Sequence, residues 1–197
     1  MKNVVSRTYT ATDYITVAEL KTHLRITGSS DDTYISNLLN SVFDIVSRRI
    51  GFEIRKSVVD HFFEQTDNGK LHIPARILEV TAVYYRDTDA ALQTLAGTSY
   101  DSILTLSANF GYDITIIDEP NLYDYGWRYK VRVVEGYAKS GDSVDVSKIF
   151  PEGLMSAIYL IAEDLYTQRG SMTVGVSAVD NGQFDAILSP YSIKEFV

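Results

Sequence analysis

Cysteine is absent from the 197 residues. A chain without it has no disulfide framework, no thiolate nucleophile and no Cys-ligated zinc, and it suits a reducing cytoplasm. Positive charge is also scarce. Eighteen lysines and arginines face 26 aspartates and glutamates, for a formal net charge of -8 and a pI near 4.8. Affinity for nucleic acid comes mainly from cations that displace counterions from phosphates, so this balance argues against a tight grip on DNA. There is no apolar run near the length needed to span a bilayer, and no basic-then-apolar start of the kind that marks a signal peptide, so neither a membrane anchor nor secretion is expected. The common catalytic motifs are missing as well: no Gly-x-Ser-x-Gly elbow, no phosphate-binding glycine loop, no calcium loop. The three histidines, His23, His61 and His72, lack the short spacing that makes a metal site recognisable.

What is present is a soluble, globular composition, 45% hydrophobic and 22% charged, with 14 tyrosines. Tyrosine joins a large apolar face to a polar tip, which serves β-sheets and protein interfaces alike. There is no internal repeat, so organisation is read from the period of the apolar residues. Thr16 and Glu19 form a Ser/Thr-x-x-Glu capping box for a short helix running to about Leu24. After Gly28, Ser29 and Ser30, the residues Ile35, Leu38, Leu39, Val42, Phe43, Val46 and Ile50 line one face of a second helix, which Gly51 stops. Asp31 and Asp32 precede it. As a pair they invite an acid/base or metal role, but a carboxylate there also satisfies a free backbone N–H and the positive end of the helix dipole, and capping is the expected role.

From Glu53 to about Tyr137 the period falls toward two, broken by turns at Asp67-Asn68-Gly69, Gly97, Gly111 and Gly126, which predicts a small antiparallel β lobe. Leu71 and Ile73, then Tyr129, Val131 and Val133, alternate with polar neighbours as half-buried strands do. Arg128, Lys130 and Arg132 form a one-sided basic stripe, open to phosphates, to an acidic neighbour or to solvent. Asp113, Asp118, Glu119 and Asp124 lie beside Tyr123, Tyr125 and Trp127, a composition found in sugar clefts, although acidic turns in an acidic chain need no special cause. A loop from Lys139 to Lys148 leads to a helix with Pro151 at its start. From Leu154 to Ala162 only Ser156 is polar, so this helix is expected to be covered on most sides, with Leu154, Ile158, Ile161 and Leu165 in or beside a subunit contact. The segment from Ser171 onward lacks a clear period yet holds Phe184, Ile187, Leu188, Tyr191, Ile193 and Phe196. It is expected to dock on its own chain or on a partner.

Three blocks then form a larger pattern. Residues 15 to 52 read Ile15-Thr16, Lys21-Thr22-His23-Leu24-Arg25-Ile26, Asp31-Asp32 and a long helix closed by Gly51. The second block is FPEGLMSAIYLIAEDLYTQRG, and the third is Ile187-Leu188-Ser189-Pro190-Tyr191. Together they resemble the head-to-tail connector, or adaptor, family of long-tailed bacteriophages, with Ser192 standing where that family commonly has arginine. The resemblance implies a structural virion protein with no catalytic residues, metal or cofactor. It implies a ring of about twelve copies between the portal protein and the stopper or tail-terminator protein. DNA would pass through the channel without specific binding, and the protein would reside in the virion neck after assembly in the host cytoplasm. A wall that repels phosphates fits the acidic balance. The expected fold is α+β: a small helical core from an N-terminal helix pair and a C-terminal helix, with an inserted antiparallel β lobe. Its divisions are 1–52, 53–137, 138–170 and a docking tail, 171–197, in which Phe184, Ile187, Leu188, Pro190 and Tyr191 are the candidate portal anchor. A neighbouring neck component such as a stopper or tail-completion protein, and a carbohydrate-binding or glycan-active protein using residues 112–128, are the alternatives.

Overall fold

The capping box at Thr16 forms as the spacing predicts. In a computed structural model that describes residues 2–10, 14–105, 111–142, 148–167 and 182–192, the Glu19 amide donates to Thr16 Oγ1 at 3.2 Å, and the Thr16 amide donates to Glu19 Oε2 at 2.7 Å. Two of the four orphan N–H groups at the start of α1 (Val17–Leu24) are thereby accounted for. The second helix, α2 (Asp32–Ile50), buries all seven apolar residues of its predicted stripe. It ends where Gly51 turns left-handed at φ +89° and its N–H bonds Ser47 O at 3.0 Å.

Chain contacts divide the molecule into two units. One takes the described residues of Thr12–Ile54 and Ala138–Lys194 and is helical. Here α1 packs on α2 and on α3 (Glu152–Thr167), and α2 and α3 both pack on α4 (Gly182–Leu188), which runs into a 3-10 turn at Ser189–Tyr191. The inward stripe of α3 is Leu154, Ala157, Ile158, Ile161 and Ala162. Tyr14 stacks on Phe150 at 4.5 Å between ring centroids, with Phe43 beside both.

The other unit takes the described residues of Met1–Ala11 and Arg55–Tyr137 and is all β. Strands β1 (Lys2–Tyr9), β2 (Ser57–Phe63), β4 (Ile77–Arg86), β5 (Leu92–Thr94) and β8 (Tyr129–Glu135) make a five-stranded antiparallel sheet in the order β1-β2-β8-β4-β5. Strands β3 (Lys70–Ile73), β6 (Tyr100–Thr105) and β7 (Gly111–Ile116) make a three-stranded antiparallel sheet in the order β3-β7-β6. Asn68 at φ +50° and Gly69 at φ +74° form the tight turn that the Asp-Asn-Gly signal predicts, just before β3. Val59, Phe63, Val83, Tyr129, Val131 and Val133 of the larger sheet share one core with Leu71, Ile73, Ile114 and Ile116 of the smaller. A buried polar group ties β1, β2 and β8 together: His61 Nε2 lies 2.5 Å from Glu135 Oε1, and Arg7 donates to Glu135 Oε2 at 2.8 Å.

The class is α+β, but one boundary differs from the expected division. The N-terminal segment, grouped with the helices as part of 1–52, instead supplies edge strand β1, paired along β2 from Lys2↔Phe63 to Tyr9↔Ser57. Its β-branched run Val4-Val5 and Thr8 carries the strand propensity, whereas the helical pattern begins only at Thr16.

Candidate functional site

The residues that carry the sequence pattern meet on the helical unit. Lys21 on α1 reaches Asp32 Oδ1 at 2.5 Å and also donates to the Gly28 carbonyl, closing the turn between α1 and α2. His23 stacks on Tyr159 of α3 at 4.8 Å, and its Nε2 lies 3.2 Å from Glu163 Oε2. The Tyr166 hydroxyl donates to Asp31 Oδ2 at 2.8 Å, with the ring of Tyr34 6.0 Å from that of Tyr166. The expected capping by the aspartate pair is therefore corrected in detail. Asp31 occupies the N-cap position of α2 but makes no side-chain cap bond, because its φ, ψ of -100°, 3° lies outside the extended region that aims a cap oxygen at the helix. Its carboxylate serves α3. Asp32 is the first helical residue and serves α1, while still lying at the positive end of α2. The aspartates link helices, and no chemistry is needed to explain them.

The second and third blocks meet too. A Cβ on Gly153, in the first turn of α3, would overlap the Tyr191 hydroxyl, so the glycine is the seat of that tyrosine. Phe184 and Leu188 are buried, at 8% and 2% exposure, inside their own helical unit. These two expected portal anchors are thus core residues of the protomer. Ile187 and Tyr191 are half-buried and Pro190 is exposed. Residues 168–181 and 193–197, which include Ile193 and Phe196 of the expected tail, lie outside the described residues. A parallel correction applies to the expected subunit contact. Leu154, Ile158 and Ile161 are 0 to 4% exposed within the protomer, and Leu165 is half-buried. The surface of α3 instead presents Leu160, 42% exposed, flanked by half-buried Met155 and Tyr159. A nearly all-apolar helix hides from sequence reading which of its sides faces inward.

The groups that raised other chemistry are accounted for by neighbours. His72 Nδ1 pairs with Asp113 at 2.7 Å, and Asp118 accepts from the Ser99 hydroxyl at 3.3 Å. Arg86 lies between the rings of Tyr123 and Trp127, at 5.1 and 4.8 Å from their centroids, and so covers faces on which a sugar would stack. Arg132 grips Asp60 with two bonds of 2.7 and 2.9 Å, which holds the Asp60 carboxyl below its ordinary range, and Lys130 stands 3.9 Å from the same group. Burial pushes the Tyr129 hydroxyl up to about 12. No cluster of three metal-ligating side chains occurs among the described residues, and no helix among them is long and apolar enough to cross a membrane. A concavity of about 410 Å³ in the helical unit, between Tyr14, Lys139, Phe150 and Met155, holds one carboxylate, that of Glu152. Sequence reasoning missed the roles of Gly153, Tyr159, Glu163, Tyr166 and Arg86 in contacts with Tyr191, His23, Asp31, Tyr123 and Trp127, all distant in the chain.

A helical unit locked by its own motif residues, joined to a β unit of two sheets, defines an α+β scaffold whose distinctive residues hold elements together. Residues 14–109 match the family model of the phage gp6-like head-tail connector protein. No curated protein matches it by sequence. Among solved structures it resembles a chain from the neck of an empty gene transfer agent (GTA) particle computed with C6 symmetry, at 18% identity, TM-score 0.69, covering 100% of this chain and 97% of that one. A chain from the virion of a native gene transfer agent particle matches at 19% identity, TM-score 0.69, and one from the neck of the native GTA particle computed with C12 symmetry at 18% identity, TM-score 0.67, both with the same coverage. At such identities the likeness is one of fold.

Proposed function

We propose that this chain is a structural protein of the virion neck, assembled head-to-tail into a ring of about twelve copies that joins the portal to the stopper or tail and extends the DNA channel. The observation that carries this reading is the meeting of the three family-like blocks in one helical unit, through Lys21–Asp32, Asp31–Tyr166 and Gly153–Tyr191. The pattern that resembles a connector is the pattern that holds this protomer together. The solved neck chain with C12 symmetry supports the copy number by likeness of fold. A net charge of -8 supports a channel wall past which DNA slides. The tail remains the proposed portal contact, through Ile187, Pro190 and Tyr191 rather than the buried Phe184 and Leu188. The proposed subunit contact likewise moves from Leu154, Ile158 and Ile161 to exposed surface. The glycan reading loses its stacking platform to Arg86, and a stopper or tail-completion role is disfavoured by the family match over the first block. Electron microscopy of the purified chain with and without its cognate portal tests the proposal. Rings seated on the portal are expected, and their absence would overturn it.

A further inference from the structure

The outward face of the five-stranded sheet carries the basic stripe. Register places Asp60 and Phe62 of β2, Lys130 and Arg132 of β8, and Tyr84 of β4 on the side opposite the core residues Val59, Val83 and Val131. The Arg86 backbone amide donates to the Arg128 carbonyl at 2.9 Å, which sets those two arginines opposite each other at the end of the same face. Leu92 of β5 pairs with Arg86 and is 49% exposed, and Tyr125 nearby is 76% exposed. Four cations thus share a face with Asp60 and, at its far end, Glu79. Asp60 engages Arg132 and Lys130. Arg86 and Arg128, both half-buried, have no ion-pair partner among the described residues. Tyr123 and Trp127 hold the Arg86 guanidinium in place, so little side-chain entropy is left to lose when an anion arrives.

We propose that this face receives the acidic helical unit of a second copy of the chain. The choice of partner rests on charge. Residues 12–54 and 138–194 contain eight lysines and arginines against thirteen aspartates and glutamates, a net of -5, so each copy carries an acidic unit to set against the cationic stripe of its neighbour. Two different faces in contact make a heterologous junction, the kind that closes rings. Pinned arginine, tyrosine and tryptophan is the composition of a protein-contact hot spot. A DNA duplex would meet the same arginines only against the repulsion of the rest of a strongly acidic chain. The inference deepens the neck-ring reading and depends on it for the number of copies.

The test is assembly of the full chain, by sedimentation velocity alone and by electron microscopy with portal, at 50 and 500 mM NaCl. Arg86→Glu/Arg128→Glu is expected to weaken assembly tenfold or more. High salt should weaken the unaltered chain in the same direction, and mixing the variant with Glu152→Lys/Glu163→Lys should restore assembly. Arg86→Gln/Arg128→Gln, with circular dichroism as the check of folding, guards against loss of fold and should show an intermediate defect. Undiminished assembly by both arginine variants overturns this inference and leaves the neck reading standing. No ring from the unaltered chain, with or without portal, overturns both. Loss of duplex-DNA binding with assembly intact would make the face a phosphate surface and also overturns it.

Discussion

Alanine at Gly153 sets two effects of similar size against each other. In a helix, alanine is favoured over glycine by about 0.8–1.0 kcal/mol, and by less in a first turn, so the substitution alone should stabilise α3. The new Cβ, however, overlaps the Tyr191 hydroxyl, and the ring has to leave its seat. Tyr191 is half-buried, and losing that contact costs about 1–2 kcal/mol on the scale of burying an aromatic side chain. Gly153→Ala should therefore be destabilising by about 0–1.5 kcal/mol, the lost contact partly offset by the helix preference. In a Tyr191→Ala background the clash is gone, and the same substitution should stabilise by up to about 1 kcal/mol. The double-mutant cycle, read from urea unfolding followed by helical circular dichroism, should give a coupling energy of about 1–2 kcal/mol. A coupling within about 0.3 kcal/mol of zero would refute the seating of the third sequence block on the second.

Removal of the cap hydroxyl by Thr16→Ala should cost about 0.5–2 kcal/mol in urea unfolding, because that hydroxyl accepts the Glu19 amide and donates to the Glu19 carboxylate. Asp31→Ala and Tyr166→Phe should each cost about 0.5 kcal/mol or more, since each deletes the hydrogen bond between α2 and α3, and a neutral thermal melt for either would count against that bond. Leu188→Ala should cost about 2–5 kcal/mol, as expected of a side chain 2% exposed; near-neutrality in urea unfolding would return it to the list of free anchors. The lowered carboxyl of Asp60 gives a pH dependence. Its stabilising effect is complete above the ordinary aspartate range, near 3.9, and is lost as pH falls through the lower folded value. Asp60→Asn should thus flatten the fall in melting temperature below about pH 4, and an unchanged acid limb would refute the assignment.

The helices and strands were legible because their apolar period is local: seven residues at helical spacing place α2, and alternation from Tyr129 to Val133 places β8. The family-like blocks were legible as sequence, but their purpose was not. Lys21 lies eleven residues from Asp32, Asp31 lies 135 from Tyr166, and Tyr191 is 38 from Gly153, and no local rule links such pairs. Asp31 shows the consequence. A carboxylate before a periodic helix satisfies every local criterion for a cap, yet a tyrosine from α3 claims it, and a single hydrogen bond to a distant partner outweighs a local preference of the same size. For α3 the difficulty runs the other way. With apolar residues on nearly every side, the sequence contains no contrast from which to choose the buried stripe, and only packing against α1, α2 and α4 selects Leu154, Ile158 and Ile161 for the interior and leaves Leu160 outside. A helix that is apolar beyond the needs of its own core is also the place where a monomer exposes what an assembly covers, so Leu160, more than the three residues beneath it, is the side chain of α3 whose replacement should weaken assembly while leaving the fold intact.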